Sequence, residues 1–384
     1  MPYVVYRSDD LLVKAAHRGG EVCIVSFDAF TDTKNLDRPA FAEHFLQDQQ
    51  ISAVHFVNGR NRWYHEPDWQ DAIDAVSQSL RAYPRVVTYG SSMEGYAALA
   101  FARHLGAHSV LALSPQYSRD PRKVPFETRW WPHRRERWLP ELSGPLPSDV
   151  PAILVYDPMV SADRRHANCI AEEMPVSRLT LPFVGHGSAA FLAEVGLLAP
   201  LLLSFAGGTV DLSSIARAAR DSRRSSTQYL TALAEAAHGR GYFDLALTLA
   251  RRASVASPLK DGPWHVMGRV YDHTGDFDQA FSAHVRAARL APHAPVIQFW
   301  LALAQRRAGN IDIALQILTQ LAQQPLPKHS ARKVINEIWY TRILLCIAAG
   351  ELFRQFQIGR SKMRARARSR PTPCRVRDGL EADP

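Results

Sequence analysis

Three residue types in this chain have the spacing and setting for nucleophilic chemistry: one serine, one histidine and an aspartate between them. A serine hydroxyl is a weak nucleophile until an imidazole takes its proton, and the imidazole needs a carboxylate to orient it. Ser92 sits in Val-Val-Thr-Tyr-Gly-Ser-Ser-Met-Glu-Gly-Tyr-Ala-Ala-Leu-Ala-Phe-Ala-Arg, residues 86–103. There a β-branched run meets a glycine-serine corner and then a helix-forming stretch. Such a strand-to-helix corner lifts its serine above the sheet edge. Gly90, two residues earlier, supplies the bare backbone that the turn demands. Met93 follows, and its amide at a helix N-terminus suits a developing oxyanion. Position +2 holds Glu94 where a small residue is favoured, and glycine comes one residue later, at Gly95.

His186 is the candidate base, because Gly185-His186-Gly187-Ser188 follows an apolar run and the glycines let a loop carry the ring. The acid should follow a strand between the two. Asp157 ends Ala-Ile-Leu-Val-Tyr, and Asp163 lies six residues on, before Arg-Arg-His-Ala. Asp163 also suits a helix N-cap and Asp157 a turn before Pro158, so both stay open. The polar and aromatic stretch after another run, Asn58 to His65, offers Asn61, Trp63 and Tyr64 as substrate-binding candidates.

Positioning these groups requires strands that end near one another. Short apolar runs occur at Tyr3–Tyr6, Val22–Phe27, Ala53–Val57, Val86–Tyr89, Val110–Leu113, Ala152–Tyr156 and Leu179–Val184, with helix-like stretches such as Trp69–Ala82, Tyr96–Leu105 and Arg164–Glu173 between them. That alternation predicts a mostly parallel sheet with helices on both faces, its chemistry beyond the carboxyl ends of the strands. Residues 1–207 form this α/β unit, and the arginine- and serine-rich segment 208–225 is expected as a linker or connecting helix.

Beyond it a repeat emerges. Gly241, Gly275 and Gly309 are spaced by 34 residues, as are Asp244, Asp278 and Asp312, and Ala246, Ala280 and Ala314. Leu233, Met267 and Leu301 keep the same register, and so do Ala234, Gly268 and Ala302. Trp264, Met267, Gly268 and Tyr271 fill a W-x2-L-G-x2-Y pattern, and Pro258 and Pro292 close two units. Residues 226–349 therefore resemble tetratricopeptide repeats (TPRs), an all-α solenoid of three units with a capping helix at about 330–349. Such a stack implies a protein or peptide partner.

The segment around Ser92 resembles the elbow of bacterial α/β-hydrolase-fold proteins, whose usual form is Y-G-x-S-M-G-G-Y-A-A; Glu94 is the departure. Tyr156-Asp157-Pro158, Gly185-His186-Gly187 and the serine-to-histidine order fit the same family. The resemblance covers residues 1–207. It implies a second oxyanion donor after an early strand, at Ala29 or Phe30, with Asp28 able to orient the pocket. It also implies a lid at the tryptophan- and arginine-rich stretch Phe126–Trp138.

Composition bounds the rest. Apolar residues make up 46% and charged residues 22% of the 384, a globular balance. The net charge is +9, and residues 351–384 carry nine Lys and Arg against four Asp and Glu. This excess reads as a basic, disordered tail from 350 to 384, whose only expected nucleic-acid role is weak phosphate contact. No apolar stretch is long enough to span a bilayer, and no signal-like N-terminus is present. Four scattered cysteines suggest reduced thiols in a cytoplasmic protein. No phosphate-cradling glycine loop, H-E-x-x-H or paired-cysteine site appears, so no cofactor and no metal are expected. The expected function is a serine hydrolase of the esterase or acyl-hydrolase type, acting on a small acyl or ester substrate, with a repeat module for protein interaction. The alternative is a non-catalytic repeat scaffold carrying a degenerate hydrolase domain.

Overall fold

The computed structural model describes residues 2–30, 34–129, 138–324, 326 and 328–348. Part of the expected lid and the basic tail lie outside the described residues. Eight strands form one sheet: β1 (Tyr3–Arg7), β2 (Leu11–Ala16), β3 (Val22–Phe27), β4 (Ser52–Asn58), β5 (Arg85–Ser91), β6 (Ser109–Leu113), β7 (Ala152–Tyr156) and β8 (Val176–Thr180). Their spatial order is β1-β2-β4-β3-β5-β6-β7-β8. β2 runs antiparallel to both β1 and β4, and every pair from β4 through β8 is parallel. The near-continuous apolar runs follow from this, since strands covered on both faces have no solvent side to make polar.

Helices α2 (Trp69–Leu80), α3 (Met93–Ala100) and α4 (Ser161–Glu173) pack on one face, where Trp69, Ile73, Val76, Tyr96, Leu99 and Ile170 enter the core. The other face carries α1 (Glu43–Asp48), α5 (Ser188–Glu194), α6 (Leu198–Ala206) and α7 (Leu212–Ser222), with Leu46, Phe191, Leu192, Leu202 and Phe205 buried. Among the described residues no single helix is long and apolar enough to cross a membrane. The apolar α5 and α6 are bent by 105° at their junction and bury their faces on the sheet.

Two strands differ from the sequence expectation. β2 has no helix before it, only the Ser8–Asp10 corner closed by the Ser8 amide on the Leu11 carbonyl at 2.8 Å. An α/β alternation therefore passes over it. β8 lies earlier than the apolar run at 179–184, because its register pairs Val176–Thr180 with Ala152–Tyr156 and ends where β7 ends. Leu181 and Val184 are buried from the following loop instead. In segment 208–225, expected as a linker or connecting helix, α7 buries Ala219 and packs Ile215 and Ala216 against the sheet-side core.

The C-terminal half is a run of antiparallel helix pairs, with the architecture of a TPR solenoid: α8 (Thr227–Gly239) with α9 (Phe243–Ala256), α10 (Asp261–Thr274) with α11 (Phe277–Leu290), and α12 (Pro295–Arg307) with α13 (Ile311–Ala322), then α14 (Lys328–Ala348). The 34-residue registers have physical causes. Gly241, Gly275 and Gly309 adopt φ of +80°, +83° and +84° in the turn inside each pair, which side chains disfavour. A Cβ on Gly268 would meet the His284 ring at 2.6 Å, so the small register lets helices approach. α14 packs through Val334 on Ala302, Leu318 and Leu321. Ile335, Trp339, Tyr340 and Ile343 of this helix are exposed. Tyr229, Leu230 and Ala234 of α8 join the same core as Phe191 and Leu202, so the solenoid continues from the sheet without a break.

Candidate functional site

Ser92 caps α3 with φ 57° and ψ −114°, a strained backbone for a residue with a side chain. Strain of this kind persists only where the surroundings enforce it. The Ser92 amide bonds the Leu113 carbonyl at the end of β6 at 2.8 Å, which ties the corner to the neighbouring strand. A Cβ on Gly90 would fall 2.4 Å from the Glu94 carbonyl, and one on Gly95 would fall 3.0 Å from Pro115. The tight positions of this turn are therefore 90 and 95, and position 94 has room. The Glu94 side chain turns back and accepts the Ser91 amide at 3.0 Å, which satisfies one donor at the start of the helix. Burial pushes its carboxyl well above the usual range; the Ser91 amide opposes this and Asp28 adds to it.

Ser92 Oγ lies 2.8 Å from His186 Nε2, and His186 Nδ1 lies 2.8 Å and 3.0 Å from the two oxygens of Asp163. Asp163 is buried in the first turn of α4, inside the helix and not at its N-cap, which is Val160. Asp157 is placed elsewhere. Its oxygens accept the Gly185 and Met159 amides, both at 2.8 Å, so it fixes the loop ahead of His186 and makes no hydrogen bond to the ring. The reason is positional: directly after β7 the carboxylate meets loop backbone, while one helical turn further on it meets the imidazole.

The oxyanion candidates divide as well. The Met93 amide opens α3 beside Ser92. Asp28, next to Ala29, accepts the Phe41 amide at 3.1 Å and pairs with Arg38. Phe30 stands edge-on to Trp63, with ring centroids 6.1 Å apart.

Trp63 and Tyr64 are consecutive buried residues with φ of 54° and 61°, a second strained turn at the strand ends. The Tyr64 hydroxyl serves backbone, donating to the Asp28 carbonyl at 2.9 Å, so it braces β3 against β4. Asn61 is half-buried in the same turn. The Trp63 indole donates to Gln116 Oε1 at 2.6 Å. An indole can only donate, so the Gln116 amide must present its NH2 on the other side, where Nε2 is 3.3 Å from Ser92 Oγ. Gln116 is fully buried, and no sequence motif marks it.

Arg129, in the stretch expected as a lid, is a second residue to which the sequence gave no role at the site. Its Nη1 donates to Asp163 at 2.7 Å and lies 3.2 Å from His186 Nδ1, while its other nitrogens hold Glu127 at 2.6–3.1 Å. Burial alone would raise the Glu127 carboxyl, but hydrogen bonds from His166 and Arg129 hold it down at about 2. Glu127 stays ionised, anchoring the guanidinium that shares Asp163 with the imidazole. Among the described residues no group of three His, Cys, Asp or Glu side chains could hold a metal ion.

Residues 227–252 match the family model of the tetratricopeptide repeat, a protein-interaction module. No curated protein matches the sequence. Among solved structures, the capsule O-acetyltransferase of Neisseria meningitidis serogroup A is 14% identical over 49% of this chain and 90% of its own, with a TM-score of 0.38. The Yersinia enterocolitica type III secretion translocator chaperone SycD is 17% identical over 31% and 86%, with a TM-score of 0.29. Yeast Tom70 is 15% identical over 44% and 36%, with a TM-score of 0.33. Likenesses this slight carry no argument about activity.

Proposed function

We propose that the chain is a serine acyl hydrolase of the α/β-hydrolase fold, fused to TPRs that dock a protein or peptide partner. The observation that carries the reading is the unbroken hydrogen-bonded series from Ser92 through His186 to Asp163, with both links at 2.8 Å. In the reaction, His186 Nε2 takes the Ser92 proton as Oγ attacks the carbonyl carbon of an ester, and the carbonyl oxygen becomes an oxyanion. The Met93 amide and the amide of Ala29 or Phe30 are the proposed donors to that oxygen, with the Gln116 NH2 beside them. The imidazolium returns the proton to the departing alkoxide, which leaves as the alcohol. Water then attacks the acyl-serine; His186 takes a proton from it, and the acid leaves as Ser92 is restored.

Asp163 holds the imidazole in the tautomer that accepts at Nε2 and stabilises the imidazolium. Arg129 fixes the same carboxylate through its Oδ1, beside the imidazole. Asn61 is the proposed contact at the acyl site, and the buried Trp63 backs it by holding Gln116. Glu94 supports catalysis over a degenerate scaffold, since the turn accommodates its side chain and uses it as a hydrogen-bond acceptor. The reading includes a cytoplasmic location, supported by Cys23 and Cys169, which are thiols and not halves of a disulfide. A fluorophosphonate probe tests the central claim: it should label the intact protein, and Ser92→Ala should abolish labelling. Labelling that survives the substitution refutes the assignment.

A further inference from the structure

The loop that carries His186 touches the repeat module. Gln228, the second residue of α8, donates from Nε2 to the Val184 carbonyl at 2.7 Å. Its amide lies across both glycines that flank the histidine. A Cβ on Gly187 would meet Gln228 Nε2 at 2.7 Å and Cδ at 2.9 Å, and one on Gly185 would meet Nε2 at 3.6 Å. Gly185 has φ +65°, so this segment is built from backbone with little stiffness of its own. Rigidity must come from outside. On one side Asp157 accepts the Gly185 amide at 2.8 Å. On the other, the side chain that closes over the loop comes from the first repeat helix.

That helix is itself clamped to the segment following the loop. Glu194, the last residue of α5, accepts the Gln228 amide at 2.9 Å and the Ser226 hydroxyl at 2.7 Å. Ser226 in turn caps α8 by accepting the Tyr229 amide at 3.0 Å. The loop, α5 and the start of α8 thus form one hydrogen-bonded unit, backed by the shared core around Phe191 and Leu230.

We propose that Gln228 is a positioning residue for His186, so that the first repeat helix is a structural part of the hydrolytic centre as well as of the interaction module. This rests on the reading of Ser92 and His186 as nucleophile and base. The hydroxyl-to-imidazole distance is set by a loop with two glycines, and a displacement of about 1 Å at a reacting group can cost a hundredfold in rate. Gln228 touches no reacting atom; its effect passes through the Val184–Gly187 backbone.

The test uses the full chain with Gln228→Ala and with Gln228→Met, which keeps bulk over Gly187 but lacks the donor. Hydrolysis of p-nitrophenyl butyrate should show kcat at least tenfold lower in both, with KM within twofold of wild type and thermal unfolding still cooperative. Hydrogen–deuterium exchange of the peptide spanning residues 184–188 should be faster in both variants. Wild-type kcat in either variant, a loss confined to KM, or unchanged exchange at residues 184–188 would overturn the proposal. If the wild type neither hydrolyses the ester nor reacts with fluorophosphonate, the hydrolase reading fails. The exchange measurement then decides by itself whether Gln228 holds the histidine loop.

Discussion

Glu94→Gln gives a test whose size and sign follow from one buried carboxyl. Glu94 is 4% exposed and accepts the Ser91 amide at 3.0 Å. Burial, reinforced by Asp28, raises its pKa well above 4.5 despite that hydrogen bond. The folded protein therefore keeps a proton that the unfolded chain releases once the pH passes about 4.5. Over that window the folded state binds more protons, so this residue's contribution falls as pH rises. The slope is about 1.4 kcal/mol per pH unit, and the loss levels off above the folded-state pKa. Glutamine keeps the shape and can accept the same amide, but it does not titrate. Urea unfolding of both proteins at half-unit steps should show Glu94→Gln nearly equal to wild type at the acid end. It should gain on wild type steadily as the pH rises. Glu94→Gly supplies the contrast: it strands the Ser91 amide at a cost of about 1–3 kcal/mol and adds about 1 kcal/mol of helix penalty. It should lie below Glu94→Gln throughout. A stability difference between Glu94→Gln and wild type that is constant with pH, or shrinks on going from acid to neutral, refutes the argument.

Asp163→Asn should lower kcat by about 10^3–10^4 by favouring the wrong imidazole tautomer. Asp157→Asn should act mainly on stability, and steady-state kinetics alongside unfolding separate the two; equal kcat losses would contradict this division of roles between the two carboxylates. His265 in the repeats is held down to about 3 by burial and then by Arg269, and its Nδ1 has no hydrogen-bond partner. Its folded pKa is depressed, so its contribution to stability is complete above about pH 6.5 and is lost as pH falls towards 3. His265→Leu should therefore gain on wild type by about 1.4 kcal/mol per pH unit below 6.5 in urea unfolding. A gap that does not widen in acid would count against this.

Whatever depends on neighbours in the chain was legible in the sequence. The alternation of apolar runs with helical stretches foretold a mostly parallel sheet covered on both faces. The registers at Gly241, Gly275 and Gly309 foretold the helical stack, because each pair must make the same left-handed turn. β2 escaped because it follows a three-residue corner with no helix before it. At the candidate site, the local pattern marked Ser92, His186 and two possible acids. Nothing local distinguished Asp157 from Asp163, since both follow β7 within seven residues and both suit a turn or cap. Tertiary structure separated them: the loop amides of Gly185 and Met159 occupy one carboxylate, and the first turn of α4 aims the other at the imidazole. Gln116 and Gln228 had no sequence signature at all, and Arg129 was marked only as one residue of a tryptophan- and arginine-rich stretch. Each acts through one side chain reaching an atom 24 to 57 residues away, and such contacts leave no period or spacing in the chain. Glu94 shows the same limit from the other direction. By type it reads as a defect in a tight turn, and only the fold decides that the crowding falls on Gly90 and Gly95 while position 94 has room for a buried carboxyl.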